Sequence, residues 1–175
     1  GLGLMGMHEW LIKSGSKYEV TEELHRWLAV YKGVSDDASA KLSSKLSISK
    51  PVANRAIAPT GSIGILAGTS TGVEPIFAVA YKRRYLGSGL KWKYQYVVDS
   101  AAGTAPDNIE SALDLAEDYE RRMKFQADVQ DYVDMSISST INLPAWGSKL
   151  NNEDTVDDFA DTLASYAHRL RGFTV

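Results

Sequence analysis

The 175 residues of the chain are enough for one domain of ordinary size, and a composition of 44% hydrophobic and 23% charged residues excludes a disordered, collagen-like or fibrous chain. The formal net charge of -3 argues against a protein that mainly binds the nucleic-acid backbone. Because the sequence contains neither a membrane-spanning apolar run nor a signal segment, we expect a cytoplasmic protein with no nucleic-acid or membrane partner.

Three helices are predicted in the N-terminal part of the chain. Apolar residues recur from Met5 to Ser14, which is typical of a short helix. Thr21, followed by two glutamates, has the pattern of a helix N-cap with an acidic first turn, and we expect this helix to end at Gly33. Ser35 to Ser47 is then predicted to form a separate, polar helix on the surface.

The middle of the chain changes character. No charged side chain occurs from Ala56 to Val73, where glycines and hydroxyl residues are frequent. The apolar run from Ile63 to Leu66 predicts a strand that is buried or half-buried, and Phe77 to Tyr81 predicts another. Lys91 to Val98 alternates in the manner of a further strand.

The C-terminal part alternates between helix and strand. Pro106 to about Val129 predicts a helix, in which Glu117 to Phe125 is either a continuation or a second helix. Ser136 to Asn142 predicts a strand, and Thr155 the start of the last helix. Gly172 to Val175 has the pattern of a helix end followed by a new strand. The alternation predicts an α/β fold with a mainly parallel sheet and flanking helices. Both ends look cut, so we expect residues 1–175 to form a single partial domain of a larger protein.

The sharpest local motif consists of Ala58, Pro59, Thr60, Gly61, Ser62 and Ile63. Glycine lets backbone N–H groups converge on an anion, and the two hydroxyls add donors, so the motif predicts a phosphate-binding loop that uses no lysine. The alternative is a tight turn before a buried strand, since proline and glycine are ordinary turn residues. The motif is neither a Walker loop nor a dinucleotide fingerprint.

A second cluster of glycines and hydroxyl residues extends from Gly68 to Gly72. Two such clusters within a short distance favour a common role. Glu74 follows the charge-free stretch and is a candidate buried carboxylate. Its alternative role is to pair with an arginine or to cap a helix.

The basic residues Lys82–Arg84 are predicted to form a solvated rim, with Lys91 and Lys93 nearby. An alternative is that they attract an anionic ligand or a nucleic-acid phosphate. Aromatic residues alternate along the following strand at Trp92, Tyr94 and Tyr96. They could stack on bases, but we expect them to form an aromatic face of the core.

Cysteine is absent from the chain, which excludes a disulfide scaffold, a Cys-ligated metal and a thiol nucleophile supplied by these residues. His8, His25 and His168 are scattered, so no metal site is predicted. We interpret the three histidines as partly exposed polar residues.

Taken in order, the motifs resemble those of ribonucleotide reductase catalytic chains. The resemblance rests on residues 1–7, 58–63, 72–77, 138–144 and 172–175, and it therefore runs along the whole chain. The Ala58–Ile63 motif, followed by the segment Ala67–Ser70 and by Glu74 with Pro75, is most similar to the adenosylcobalamin-dependent class II enzymes. Class I remains open at this point.

This resemblance implies part of a ten-stranded α/β barrel, from beyond the central finger loop towards its C-terminus. It implies the reduction of ribonucleotides to deoxyribonucleotides by a thiyl-radical mechanism, with adenosylcobalamin as the cofactor of the complete enzyme. In the family, the segment that matches Ala58–Ile63 binds the substrate phosphates through backbone N–H groups and hydroxyls. Diphosphate and triphosphate substrates are both left open.

The resemblance also implies what this chain does not carry. The radical-bearing cysteine, the reducing cysteine pair and the finger-loop asparagine and glutamate belong to other parts of the family's chains, so we expect no catalytic residue here and no activity of the chain alone. The implied partners are a ribonucleotide, the N-terminal part of the barrel with the finger-loop cysteine, and an external thiol reductant such as thioredoxin; a homo-oligomer is possible. The alternative function is a non-catalytic nucleotide-binding or assembly module on the same scaffold.

Overall fold

The computed structural model describes residues 1–103 and 109–175. It contains five α-helices, α1 (Met7–Lys13), α2 (Glu22–Leu46), α3 (Gly61–Ala67), α4 (Tyr119–Gln130) and α5 (Val156–Ala167), and two strands, β1 (Ala80–Leu86) and β2 (Trp92–Val98). Short 3-10 turns lie at Ser88–Leu90, Ser100–Gly103, Asp114–Glu117 and Glu153–Thr155.

The first predicted helix and the predicted cap at Thr21 are confirmed. Thr21 accepts a hydrogen bond from the Leu24 N–H at 3.2 Å. The predicted break at Gly33 is wrong, because α2 continues to Leu46 as one helix. A glycine inside a helix costs only about 1 kcal/mol relative to alanine, and long-range contacts offset that cost here.

The buried Arg55 side chain supplies those contacts. It donates to the Lys32 carbonyl at 3.0 Å and to the Asp36 carboxylate at 2.7 Å, on either side of Gly33. Arg55 also reaches Asp134 at 2.8 Å, whose second carboxylate oxygen accepts the Asn54 and Arg55 N–H groups. Burial alone would raise the pKa of Asp134, but these hydrogen bonds outweigh it and hold the pKa below its ordinary value.

The prediction of a strand at Ile63 to Leu66 is wrong, because these residues lie in α3. Gly68 ends this helix in the left-handed conformation, with a φ of 67°, as glycine often does after the last helical residue. A short apolar run does not distinguish a strand from a helical turn. The last helix is confirmed: Thr155 directly precedes α5, and Asn152 caps the preceding 3-10 turn.

The long helix predicted from Pro106 is only partly present. Residues 106–108 lie outside the described part of the chain, and residues 109–118 are irregular apart from one 3-10 turn. The α-helix starts at Tyr119, because the Asp118 side chain caps it by accepting the Arg121 N–H at 3.2 Å.

The two strands form an antiparallel hairpin, in which Ala80 pairs with Val98 and Leu86 with Trp92. The strand predicted at Lys91 to Val98 is therefore confirmed, whereas the one predicted at Phe77 to Tyr81 starts only at Ala80. The ten-stranded barrel is not visible in residues 1–103 and 109–175, where this hairpin is the regular sheet.

Parallel pairing is present as single bridges. Leu2 pairs with Arg55, Ile57 with Ile137, and Thr140 with Thr174, each in parallel. Four extended segments thus lie side by side in chain order. The first two are joined through α1 and α2, the second and third through α3, the β1–β2 hairpin and α4, and the last two through α5. This order is that of successive βα units, so the predicted α/β alternation holds locally.

The core lies between these segments and the helices. Its fully buried side chains include Leu11, Tyr18, Leu28, Ile57, Val73, Phe125, Val129 and Ile137. The rings of Tyr18 and Phe125 stack at 4.0 Å between centroids. This core anchors Ile57, the residue that directly precedes the candidate loop.

Candidate phosphate-binding site

The candidate loop Ala58–Ile63 directly follows the extended segment that contains Arg55 and Ile57. Because Ile57 pairs in parallel with Ile137, the loop leaves the carboxyl end of a parallel segment. Ligands of α/β proteins bind at that end of the sheet, since the loops that follow adjacent parallel strands converge there.

The loop is open to solvent but conformationally fixed. Thr60 is half-buried, whereas its five neighbours in the motif are exposed. Thr60 has a φ of 50°, a left-handed conformation that is unfavourable for a β-branched residue. Its hydroxyl accepts the Gly72 N–H at 2.8 Å and keeps its own hydrogen for another acceptor.

The two glycine and hydroxyl clusters form one unit. A Cβ at Gly72 would lie 3.1 Å from the Ala58 carbonyl oxygen, and a Cβ at Gly64 would lie 2.9 Å from the Thr71 methyl group. A side chain at either position would force the facing atom to move. By contrast, a Cβ at Gly61 would meet no atom within 4 Å, so the space in front of this residue is free for a ligand.

The N-terminal motif borders the same loop. A cavity of about 400 Å³ lies elsewhere, but one of about 340 Å³ is lined by residues 1–5 together with Ala56, Ala58, Thr60 and Ile63. The Gly6 N–H also donates to the Ser70 carbonyl at 2.8 Å. Three glycine-containing segments therefore meet at one edge of the molecule, namely residues 1–6, the Ala58–Ile63 loop and the Gly68–Gly72 cluster.

The 400 Å³ cavity brings two further motifs together. Its wall includes Thr69–Thr71, Glu74–Phe77, Thr140 and Asn142. Glu74 is half-buried, and its Oε1 accepts the Thr140 N–H at 2.6 Å. Neither predicted alternative for Glu74, an arginine partner or a helix cap, is seen in the described residues.

Arg122 is a cavity residue that the sequence analysis missed. It is buried, and it donates to the Tyr18 hydroxyl, to Ser139 Oγ at 3.0 Å and to the Thr140 carbonyl at 2.7 Å. In the part of the chain that the structure describes, no carboxylate lies within ion-pair distance of it. The polar pattern of α4 gives no signal of this burial, because the partners lie far away in sequence.

The interpretation of His8 as partly exposed is wrong, since this side chain is buried. Its Nδ1 accepts the Ile76 N–H at 2.9 Å, which places the ring proton of the neutral form on Nε2. Burial and the charge of Arg122 lower the pKa of His8 to about 4. His8 is therefore neutral near pH 7. The interpretation holds for His25, which is half-buried, and for His168, which is exposed.

The basic rim at Lys82–Arg84 is exposed, as predicted. The predicted aromatic core face is wrong, because Trp92, Tyr94 and Tyr96 are 56%, 59% and 78% exposed. Their strands pair with each other, and no further strand of the described residues extends the hairpin.

Within residues 1–103 and 109–175, no group of three or more His, Asp or Glu side chains has the arrangement of a metal site. Likewise, none of the helices in these two ranges is both long and apolar enough to cross a membrane.

Comparisons with known proteins identify the family of the chain. Residues 52–175 match the family model described as the barrel domain of ribonucleotide reductase. Over its whole length the chain is 27% identical to a vitamin B12-dependent ribonucleoside-diphosphate reductase of Mycobacterium tuberculosis, of which it covers 30%. Over 49% of its length it is 34% identical to a protein of the same name from Thermoplasma acidophilum, of which the match covers 14%.

A putative adenosylcobalamin-dependent ribonucleoside-triphosphate reductase of Mycobacterium phage D29 is 33% identical over 48% of the chain. The chain thus spans about a third or less of the length of these relatives. The resemblance predicted from the motifs is confirmed, and the chain belongs to the ribonucleotide reductase barrel-domain family.

Proposed function

We propose that this chain is the phosphate-binding part of the catalytic barrel of a ribonucleotide reductase. The complete protein would reduce ribonucleotides to deoxyribonucleotides. The family match and the names of the relatives support the reaction. The position of Ala58–Ile63, open to solvent at the carboxyl end of a parallel segment, is the observation that carries the assignment of phosphate binding.

The loop would bind an anion without a cationic side chain. No Lys or Arg occurs from Ala56 to Val73, so the charge of the phosphate would be balanced by oriented N–H groups and by the hydroxyls of Thr60 and Ser62. The hydrogen bond from Gly72 to Thr60 orients this hydroxyl before a ligand arrives. Such preorganisation reduces the entropy that binding costs.

The names of the relatives support adenosylcobalamin as the cofactor of the complete enzyme. The cavities found among the described residues measure about 250 to 540 Å³, and a cobalamin is much larger than the ligands that fill such pockets, so none of them fits it. The imidazole of His8 is buried, with Nδ1 already occupied by Ile76. We therefore assign cofactor binding to other parts of the enzyme.

The thiyl radical must also come from elsewhere, because this chain has no cysteine. The proposed partners are the part of the barrel with the finger-loop cysteine, an external thiol reductant such as thioredoxin, and the ribonucleotide substrate. The chain alone would be inactive.

Gly61→Val in the complete enzyme tests the assignment. Because a side chain at this position meets no protein atom within 4 Å, the fold should tolerate valine, while the added methyl groups occupy the space of the anion. We expect ribonucleotide reduction, assayed with adenosylcobalamin and a dithiol, to fall at least about a hundredfold, which corresponds to about 2.7 kcal/mol.

Gly33→Val is the matched control, since a Cβ at Gly33 also meets no atom within 4 Å but lies on α2, away from the loop. The control should retain near-normal turnover, and both variants should keep the circular dichroism spectrum of the parent. Normal turnover of the folded Gly61→Val enzyme would contradict phosphate binding at this loop.

The absence of cysteine favours a second candidate, a nucleotide-binding or assembly module without chemistry. The two candidates differ in one measurement. Reductase activity that appears when the chain is combined with the cysteine-bearing part of the barrel supports the first. Nucleotide binding without turnover in that mixture supports the second.

A further inference from the structure

The parallel pairing between two neighbouring segments stops at the point where the candidate loop begins. The Ile57 N–H donates to the Ser136 carbonyl at 3.3 Å, and the Ser138 N–H donates to the Ile57 carbonyl at 2.8 Å. In a parallel ladder every second residue repeats this pattern. If the ladder continued, the Thr140 N–H would therefore donate to the Pro59 carbonyl.

Pro59 ends this ladder, because proline has no N–H that could donate to the Ser138 carbonyl. Thr60 then has a left-handed backbone with a φ of 50°, and α3 starts at Gly61. The chain thus turns away from its neighbour, and the backbone N–H and carbonyl of Thr140 have no strand partner on this side.

Thr140 does not direct these two groups towards its other neighbour. The segment with Thr174 pairs with the flanking residues instead: the Thr174 N–H donates to the Ser139 carbonyl at 3.2 Å, and its carbonyl accepts the Ile141 N–H at 2.7 Å. Successive residues of an extended segment direct their backbone groups to opposite sides. The N–H and carbonyl of Thr140 therefore point to the side from which the candidate loop departs.

Two charged side chains bind Thr140 in place of a strand. Glu74 Oε1 accepts the Thr140 N–H at 2.6 Å, and Arg122 Nη2 donates to the Thr140 carbonyl at 2.7 Å. The carboxylate thus takes the place of the Pro59 carbonyl. The guanidinium takes the place of the Gly61 N–H, which would be the next donor of a continued ladder.

Both side chains are held by parts of the chain outside the candidate loop. Arg122 is buried on α4 and also donates to the Tyr18 hydroxyl. Glu74 directly follows Val73, whose side chain is fully buried in the core. A fixed acceptor and a fixed donor therefore hold the backbone of Thr140.

We propose that Glu74 is a positioning residue that keeps the Ala58–Ile63 loop out of the sheet and open for an anion. Without its carboxylate, the Thr140 N–H would lack an acceptor, and the ladder offers the Pro59 carbonyl as the replacement. The loop would then be drawn against the segment of Thr140, and its N–H groups would no longer face free space. This inference rests on the proposed phosphate binding by the loop, and it adds the residue that maintains the open state.

A closed loop would impair substrate binding rather than the chemical step. When a substrate binds only the open loop, its apparent affinity falls in proportion to the fraction of enzyme in which the loop is open. Saturating substrate selects the open state, so the maximal rate is recovered. An enzyme that is merely destabilised would instead lose active molecules, which lowers kcat and leaves KM unchanged.

Kinetics of the complete enzyme with Glu74→Ala test the proposal, with cytidine diphosphate or triphosphate as substrate, whichever the parent reduces. We expect KM for this nucleotide to rise at least about tenfold, while kcat changes by less than about threefold. Glu74→Gln should keep KM within about twofold of the parental value, because its amide oxygen can still accept the Thr140 N–H. Glu74→Asp is one methylene shorter, and its KM should lie between those of Glu74→Ala and the parent.

Glu110→Ala is the matched control. Like Glu74, Glu110 is half-buried, and its carboxylate accepts a backbone N–H that is distant in sequence, that of Tyr18 at 2.9 Å. It pairs with Arg121 and lines neither the cavity that contains Glu74 nor the one beside the loop. Its removal should lower the thermal stability at least as much as Glu74→Ala does, because Arg121 loses its partner, yet KM should stay parental.

A parental KM in the folded Glu74→Ala enzyme overturns the proposal, and so does an equal rise of KM in Glu74→Gln or in Glu110→Ala. If Glu74→Ala does not fold, a parental KM in Glu74→Asp overturns it. The Gly61→Val enzyme separates this result from the proposed function. Lost turnover in Gly61→Val with a parental KM in Glu74→Ala would contradict the positioning role alone, whereas normal turnover in Gly61→Val would contradict phosphate binding by the loop itself.

Discussion

The region of the parallel bridges and the β-hairpin both contain apolar residues but use them in opposite ways. In the bridged region, Ile57, Val73 and Ile137 are at most 2% exposed and join one core. In the hairpin, Trp92 and Tyr96 project into solvent and contact cations of the adjacent strand. The difference lies in what covers each face, because three βα connections place helices around the bridged segments whereas the hairpin pairs with itself.

This contrast explains where the candidate site lies. The loop Ala58–Ile63 needs fixed backbone groups, and it leaves a segment anchored by the buried Ile57 and Arg55. The hairpin has no such anchor, since two strands alone are only marginally stable in water. The first region therefore suits a small ligand that requires preorganised donors, and the second suits a broad surface contact.

The largest expected difference between the regions is in the free energy of unfolding. Phe125→Ala removes a 2% exposed ring that stacks on Tyr18, and we expect it to cost about 3–5 kcal/mol. Trp92→Ala removes a larger ring from the hairpin, yet should cost no more than about 1 kcal/mol, the contribution of its contact with Arg84.

Urea unfolding measures both variants. Equal losses for the two would mean that the hairpin is folded against the core, and the comparison between the regions would fail.

The sequence predicts those elements whose signals are local. The Thr21 cap, the α5 start at Thr155 and the alternation of β2 are all determined by residues within one or two turns of each other. The break predicted at Gly33 fails because Arg55, more than twenty residues away, binds α2 on both sides of the glycine. The strand predicted at Ile63 fails because four apolar residues fit either period.

In the candidate site, too, the sequence predicts the features with local signals and misses those that depend on long-range contacts. The sequence motif locates the candidate loop, but it does not reveal that Thr60 is bound to Gly72, nor that Glu74 holds Thr140. Arg122 and His8 look like ordinary surface residues because their burial depends on tertiary partners. Alternation along β2 predicts a strand with two faces and contains no information about which face, if either, is covered.

The second-largest expected effect is a loss of folding stability at low pH, which comes from the buried His8 side chain. Burial and Arg122 lower the pKa of His8 in the folded chain to about 4, from 6.5 in the unfolded chain. As the pH falls below about 6.5, the unfolded state binds the proton first, so stability is complete above this pH and is lost towards pH 4. Between pH 7 and pH 5 we expect a loss of about 2 kcal/mol from this group.

His8→Gln separates this effect from other titrations, because its side-chain oxygen can still accept the Ile76 N–H while it has no proton to bind in this range. Urea midpoints of the two proteins should therefore diverge between pH 7 and pH 5, with the parent losing more stability. A parallel pH profile for both proteins would mean that His8 is not the group whose titration lowers the stability.

The smallest expected effect tests whether the two glycine clusters act as one unit. Thr60→Ala removes the acceptor of the Gly72 N–H and leaves this buried donor without its partner, which should cost about 1–2 kcal/mol. Thr162→Ala is the matched control: its hydroxyl donates to the Asp158 carbonyl within α5, a carbonyl that the helix already uses, so alanine should change stability by less than about 0.5 kcal/mol.

Two-state urea unfolding resolves this difference. If the two threonine variants are equally stable, the Gly72 N–H does not depend on Thr60, and the loop would be fixed by its own sequence alone. A selective loss at Thr60 would instead mean that the second cluster holds the first in place. The charge-free stretch would then act as a single preorganised element, in contrast to the hairpin, whose order depends on pairing with itself.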